Sequence, residues 1–210
     1  LMGLLALAGT CLISRLNGKS SILMVVLGGM VVSSLFQALV SLVKYVADPE
    51  EELPAITYWL MGSMSRATYQ GLLVGLPFIL IGAGILFLLR WRLNILSLQE
   101  DETKALGIDV KKLRLLVMTA STLVTAACVS LCGQVGWVGL LIPHAARMLY
   151  GSDNRKVIQV SIGLGSAFMV AIDTASRAAT AAEIPVSILT AIIGAPFFIL
   201  HLRKTGGARL

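Results

Sequence analysis

Gly18, Lys19 and Ser20 are the residues that come closest to a nucleotide-binding motif, because they match the last three positions of the phosphate-binding loop GxxxxGK[ST]. That loop also needs a glycine five positions earlier, where this chain has Ile13. It needs a preceding β-strand as well, whereas these residues follow an apolar stretch typical of a membrane helix. We therefore exclude nucleotide binding here. No catalytic constellation is visible elsewhere, so we expect a protein that is not an enzyme.

Two pairs of polar side chains have helical spacing. His144 and Arg147 stand three residues apart, which is typical of a pair that reaches from a short span to the membrane surface. Asp173 and Arg177 stand four residues apart, where opposite charges can pair and reduce the cost of lying in lipid. Docking of an acidic partner at Arg177 is an equally open interpretation. The only other histidine is His201, so a metal site lacks ligands, and we expect no cofactor.

A polar stripe runs along one apolar segment. Ser34, Gln37 and Ser41 recur at steps of three and four residues, so they share one face of a helix. Hydrogen bonding to another helix is the commoner reason for such a stripe in a membrane protein. Lining a translocation path is the alternative.

Seven long apolar stretches must position these residues. With 57% hydrophobic and 13% charged residues, a chain of 210 residues cannot fold in water without exposing large apolar patches. The sequence therefore predicts an all-α, polytopic membrane bundle forming one domain over residues 1–210. The predicted spans are residues 1–14, 20–43, 67–89, 113–132, 134–150, 157–178 and 186–202.

Charges predict the orientation of this bundle. Of the 17 Lys and Arg residues, 14 lie in or at the edges of every second break, counting the segment after the last span, and the intervening breaks carry acidic residues such as Asp48 and Glu183. Because short cytoplasmic connections accumulate Lys and Arg, the basic breaks and the C-terminus are expected inside. The net charge of +6 then belongs to the inner membrane face, and no nucleic-acid partner is implied.

The cytoplasmic connection 94–114 contains a predicted short helix. Ser97 and Glu100 have capping-box spacing, and Gly107 can end the helix, which would have about two turns. A helix this short is unstable alone in water, so its apolar residues must pack on the bundle, on the bilayer or on another protein. At the other end of the sequence, Leu1 already lies in an apolar stretch, and we expect an N-terminal part to precede it.

The segment GQVGWVGLLIPHAAR, residues 133–147, closely resembles the GxIGFVGLxxPHxxR signature of the FecCD-type permeases, which are ATP-driven importers of ferric siderophores, haem and vitamin B12. Its motif residues here are Gly136, Gly139, Pro143, His144 and Arg147. Matching pieces follow the family's order at residues 27–39, 59–65, 105–107, 171–177 and 183–199. Ser187 departs from the glycine that is common after EIPV. Family members usually have ten membrane helices, and this chain is similar to the last seven.

The resemblance implies a role for several residues. Arg177 matches an outer arginine that receives an acidic residue of the extracytoplasmic binding protein, and the stripe Ser34, Gln37 and Ser41 becomes a pore-lining candidate. Two further groups match cytoplasmic elements: the ATPase-coupling residues Leu98, Ala105, Leu106 and Gly107, and the gate residues Gly18, Lys19, Ser20 and Ser21.

The resemblance also implies an assembly. A FecCD-type permease works in the prokaryotic cytoplasmic (inner) membrane with a second permease copy or paralogue, two ABC ATPase subunits and a soluble binding protein. Ferric siderophore is the cargo expected first, and haem, cobalamin and molybdate stay open. A seven-helix receptor or a secondary transporter with broken helices would also fit seven spans with a cytoplasmic C-terminus.

Overall fold

The computed structural model describes residues 1–15, 22–65, 67–97, 109–179 and 183–206. In these parts every regular element is helical, and the all-α prediction is confirmed. A 3-10 helix, Arg92–Ser97, follows the fourth α-helix. The α-helices are α1 Met2–Arg15, α2 Ile22–Val46, α3 Glu52–Leu60, α4 Tyr69–Leu89, α5 Val110–Cys132, α6 Val138–Tyr150, α7 Asn154–Ala179 and α8 Val186–Gly206.

Each predicted span corresponds to one of these helices, and α3 is an additional helix in the predicted outer loop. In the described ranges, four helices, α2, α4, α5 and α7, are long and apolar enough to cross a membrane. The apolar parts of α1 and α8 are shorter. With 13 residues, α6 is about 20 Å long, so it reaches only part of the way across a hydrocarbon core of about 30 Å. The chain is an integral membrane protein.

The helices pack in two groups. In the first, α5 packs on α4 and on α1, and α1 packs on α2. In the second, α6, α7 and α8 pack on one another. Small residues allow close contact in the first group: a Cβ at Gly82 of α4 would lie 2.7 Å from the carbonyl oxygen of Ala120 in α5. Many large apolar side chains on the outer surfaces are exposed, as expected for helices that face lipid.

Among the described residues, three prolines lie beyond the first turn of a helix: Pro77 in α4, Pro143 in α6 and Pro196 in α8. Such residues predict kinks or breaks. Each helix continues past its proline, so none of the three positions is a break, and a kink stays a prediction. Neighbouring helices and small local adjustments make proline tolerable in membrane helices.

Candidate functional site

Three chain segments meet at the predicted outer end of the bundle and are joined by peptide groups. The Ser63 amide donates to the carbonyl oxygen of Cys132, at the end of α5, at 2.9 Å. The carbonyl oxygen of Gly62 accepts from the Val186 amide, at the start of α8, at 3.1 Å. The turn after α3 therefore binds both α5 and α8, and it connects the two groups of helices. We call this contact the outer junction.

Two glycines make the outer junction sterically possible. Gly62 and Gly133 both have φ +73, in the left-handed region that favours glycine. A Cβ at Gly133 would lie 2.3 Å from the carbonyl oxygen of Trp59, and a Cβ at Gly62 would lie 2.4 Å from the carbonyl oxygen of Gln134. Any side chain at either position would collide with backbone atoms, so the close approach requires glycine twice.

Two hydrogen bonds beside the outer junction join the end of α7 to the residues just before α8. The buried Ser176 donates from Oγ to the carbonyl oxygen of Ile184 at 2.5 Å, and the Ile184 amide donates to the carbonyl oxygen of Ser176 at 3.2 Å. Ser176 precedes Arg177 in the last turns of α7. Arg177, the predicted docking residue, therefore lies at a helix end that is hydrogen-bonded to Ile184, just before α8.

Arg177 and Asp173 form the ion pair that their spacing indicates. Arg177 Nε lies 3.0 Å from Asp173 Oδ2, and Nη2 lies 3.2 Å from Oδ1, so both carboxylate oxygens are held. The arginine side chain is 48% exposed and the aspartate side chain 25%. The guanidinium thus keeps an open side toward solvent, while its charge is balanced by a carboxylate of its own helix.

The motif segment 133–147 packs against α8. Trp137 is the N-cap of α6 with φ 60, and a Cβ at Gly194 would lie 2.9 Å from Trp137 Cβ. The Phe198 ring lies 5.8 Å from the Trp137 ring and 5.6 Å from the His144 ring, measured between centroids. His144 is accordingly half-buried against α8, whereas Arg147 is exposed.

The other motif glycines differ from expectation. In an apolar stretch, Gly133, Gly136 and Gly139 predict close helix contacts. Gly133 makes such a contact, but apart from adjacent residues and the local helix backbone, no described atom lies within 4 Å of a Cβ placed at Gly136 or Gly139. Within the described residues no helix approaches these two glycines closely, although the same segment packs on α8 through Trp137. Pro143 lies one helical turn after Gly139, inside α6.

The polar stripe on α2 lies on a largely exposed helix, whose buried apolar residue in the described part is Val32. Ser34 Oγ donates to the carbonyl oxygen of Met30, and Ser41 Oγ donates to that of Gln37, each at 2.9 Å. These hydroxyls therefore bond to their own helix. Gln37 and Ser41 line a cavity of about 380 Å³ near the outer end of α2, and Ser34 lies outside that lining.

On the predicted cytoplasmic side, one amide side chain joins the start of the connection 94–114 to α7. Asn94 Nδ2 donates to Asp153 Oδ1 at 2.9 Å, and Asn94 Oδ1 accepts from the Asn154 amide at 2.9 Å. Nearby, the Arg155 guanidinium lies over the Trp91 ring, 5.3 Å from its centroid. We call the contact of Asn94 with Asp153 and Asn154 the inner clamp.

The far end of the same connection is a helix cap. Asp109 Oδ1 accepts from the Lys111 and Lys112 amides at 3.1 and 3.2 Å, so it caps α5. The Lys112 amide is the largest cause that lowers the pKa of Asp109. The pKa of Asp153 is also lowered, first by the hydrogen bond from Asn94 and then by the Arg155 amide. Both carboxylates accept these hydrogen bonds in their charged forms.

Between these anchors lies the segment predicted to couple to the ATPase, residues 98–107. Two predicted sites fall outside the residues that the structure describes: the coupling residues Leu98, Ala105, Leu106 and Gly107, and the gate residues Gly18, Lys19, Ser20 and Ser21. Their roles stay predictions.

Sequence reasoning missed the inner clamp and the outer junction. Asn94 carried no signal in the sequence, since its partners stand about sixty positions later. Gly62 offered a weak signal, because a lone glycine after a short aromatic segment indicates a turn. Asp153 and Asn154 together offered the helix-start signal of α7.

The comparisons with known proteins agree with this architecture. The model of the FecCD transport family matches residues 1–204. The chain is 44% identical over 209 residues to the molybdate import system permease protein MolB of Haemophilus influenzae, a match that covers 99% of this chain and 62% of that protein. It is 38% identical over 191 residues to the cobalamin import system permease protein BtuC of Halobacterium salinarum, covering 91% of this chain and 51% of that protein.

A solved structure of the metal-chelate type of ABC transporter, in an inward-facing conformation, superposes with a TM-score of 0.87 at 44% identity. The match covers 93% of this chain and 63% of the other. The chain therefore spans less than two thirds of the length of these relatives. Since the family model covers nearly every residue and the fold agrees, the chain belongs to the FecCD transport family.

Proposed function

We propose that this chain is the permease part of an ATP-driven ABC importer in the prokaryotic cytoplasmic membrane, with its C-terminus inside. The observation that supports this most strongly is the family match over residues 1–204. The relatives named above are permeases of import systems for molybdate and for cobalamin. The permease itself catalyses no reaction, and ATP is hydrolysed by a separate subunit.

The cargo belongs to the metal-containing group that the relatives' names describe. Ferric siderophore is the first candidate, since iron chelatin and Fe(3+) dicitrate permeases are among the relatives. Molybdate, haem and cobalamin are the alternatives.

The proposed assembly contains two ATPase subunits, one binding protein and a second permease copy or paralogue. Segment 98–107 docks on the ATPase. Support comes from the hydrogen bonds on either side of the segment, at the inner clamp of Asn94 and at the Asp109 cap of α5. Through these bonds a displacement of the segment is transmitted to α7 and α5. When ATP closes the ATPase pair, this displacement tilts the helices and changes the side on which the path opens.

At the outer end, the binding protein docks at Arg177. Support comes from the open side of its guanidinium and from the bonded helix end that carries it. The path itself runs past α2, where Ser34, Gln37 and Ser41 are exposed.

One experiment tests both ends of the assembly in proteoliposomes that contain the complex. Leu106→Asp should abolish ATP-dependent uptake and weaken ATPase association, with Leu106→Met as the matched control. Arg177→Glu should weaken association of the binding protein and leave ATPase association unchanged, with Arg177→Lys as its control. Full uptake by Leu106→Asp would remove the coupling assignment. Uptake driven by an ion gradient without ATP would overturn the importer class in favour of a secondary transporter.

A further inference from the structure

The cavity near the outer end of α2 has a polar lining drawn from more than one segment. Gln37, Ser41 and Lys44 follow one another at steps of four and three residues, so they lie on one face of α2. Leu60, at the end of α3, and Gln134, in the connection after α5, also line the cavity. The cavity volume of about 380 Å³ falls in the lower part of the range for small-molecule sites, about 300–1,000 Å³.

The cavity holds an unbalanced positive charge. Lys44 is half-buried and forms no ion pair with any described residue, and no carboxylate belongs to the cavity lining. Asp48 stands one turn beyond Lys44, but its Oδ1 accepts from the Glu50 amide at 2.8 Å and the Glu51 amide at 3.2 Å. The nearest acid in sequence is thus bound to the start of α3.

The other described cation on the outer side is differently placed. Arg177 is already paired with Asp173, so its charge is balanced within its own helix. Within the described ranges, Lys44 is therefore the outer cation that still lacks an anion. A half-buried ammonium group is stabilised by an anion whose oxygen atoms accept hydrogen bonds from it.

The neighbouring side chains supply more donors of hydrogen bonds. The side-chain amides of Gln37 and Gln134 make no hydrogen bond to any described residue, so their NH2 groups are available to a ligand. The Ser41 hydroxyl already donates its hydrogen bond to the carbonyl oxygen of Gln37 in α2. The available groups thus donate protons from α2 and from the connection after α5, a donor set that suits an oxyanion or the carboxylate arm of a chelate.

We propose that Lys44, with Gln37 and Gln134, forms an anion-binding subsite at the outer end of the translocation path, and that the cargo carries net negative charge, placed on oxygen. This inference rests on the proposed function, because a path exists only in a permease. It narrows the cargo to an oxyanion or a chelate with net negative charge, and it excludes cyanocobalamin, whose phosphodiester charge is balanced within the molecule.

The test uses the complete transporter in proteoliposomes, with molybdate, ferric citrate and cyanocobalamin as probes. Uptake and the affinity of the binding protein for the permease are measured for wild type, Lys44→Gln and Lys44→Arg. Tyr45→Gln is the matched control, since it places the same residue at the adjacent, exposed position outside the cavity.

We expect ATP-dependent uptake of molybdate or ferric citrate by wild type. Uptake of molybdate would identify the cargo as an oxyanion, and uptake of ferric citrate would identify it as an anionic chelate. Lys44→Gln should lower that uptake about tenfold, the size expected for loss of one hydrogen bond between charged groups, with unchanged affinity for the binding protein. Lys44→Arg should keep most of the uptake, and Tyr45→Gln should match wild type.

Three outcomes overturn the inference and leave the proposed function standing. The first is wild-type uptake of cyanocobalamin and of neither anion. The second is equal anion uptake by Lys44→Gln and wild type. The third is a loss of binding-protein affinity in Lys44→Gln as large as its loss of uptake, which would make Lys44 a docking residue. Uptake of any probe that continues without ATP would instead overturn the proposed function together with this inference.

Discussion

The two ends of the bundle are held by different kinds of bond. At the outer junction, peptide groups of three segments bond directly, and two glycines bring the backbones into contact. At the inner clamp, a single side chain, Asn94, joins the 3-10 helix to α7. A backbone junction is rigid and intolerant of substitution, whereas a side-chain clamp can open without a change in the fold. The difference indicates that the outer contact tolerates little substitution, whereas the cytoplasmic contact depends on one side chain.

Breaking the outer junction should have the largest effect. Gly133→Ala would place a methyl group against the carbonyl oxygen of Trp59 at a residue with φ +73, so we expect a loss of about 3 kcal/mol of unfolding free energy. Reversible denaturation of the purified protein in detergent measures this loss. Gly136→Ala is the matched control, because its Cβ would meet no described atom, and its effect should stay within about 0.5 kcal/mol. Equal losses for the two variants would contradict the outer junction.

Opening the inner clamp should have a smaller effect on stability. Asn94→Ala removes two hydrogen bonds, one of them to a carboxylate, and should cost about 1–2 kcal/mol of unfolding free energy. If the clamp transmits motion from segment 98–107, the cargo transported per ATP hydrolysed should also fall. Gln159→Ala is the control, since it removes an exposed amide from the same helix. A variant at Asn94 as unstable as Gly133→Ala would show that the two ends do not differ.

Acid should weaken the inner clamp and leave the outer junction unchanged. The pKa of Asp153 is lowered from its ordinary value of 3.8, mainly by the hydrogen bond from Asn94. Its contribution to stability is therefore complete above that value and is lost as the pH falls through the lower pKa of the folded state. We expect the stability difference between wild type and Asp153→Asn to shrink below about pH 4. Denaturation midpoints between about pH 3 and 6 measure it, and a constant difference would exclude the role of this carboxylate.

The helices could be predicted from the sequence because each apolar stretch carries its own signal, and all seven predicted spans correspond to helices. The pairing of Arg177 with Asp173 followed from helical spacing alone. The outer junction could not be predicted, because Gly62 and Gly133 meet only after α3, α4 and α5 have packed. The same reason explains why Gly133 makes a close contact and Gly136 and Gly139 make none within the described residues, since sequence spacing does not say which side of a segment meets another helix.

The ion pair of Arg177 with Asp173 has a consequence for the kinetics of encounter. Two opposite charges about 3 Å apart on one helix present a small dipole to solution, whose field falls off faster than that of a bare cation. A carboxylate of a docking protein must compete with Asp173 for Arg177, so Arg177 adds little long-range attraction. Its contribution is to orientation at short range, and the association rate of a protein landing there should respond only weakly to ionic strength.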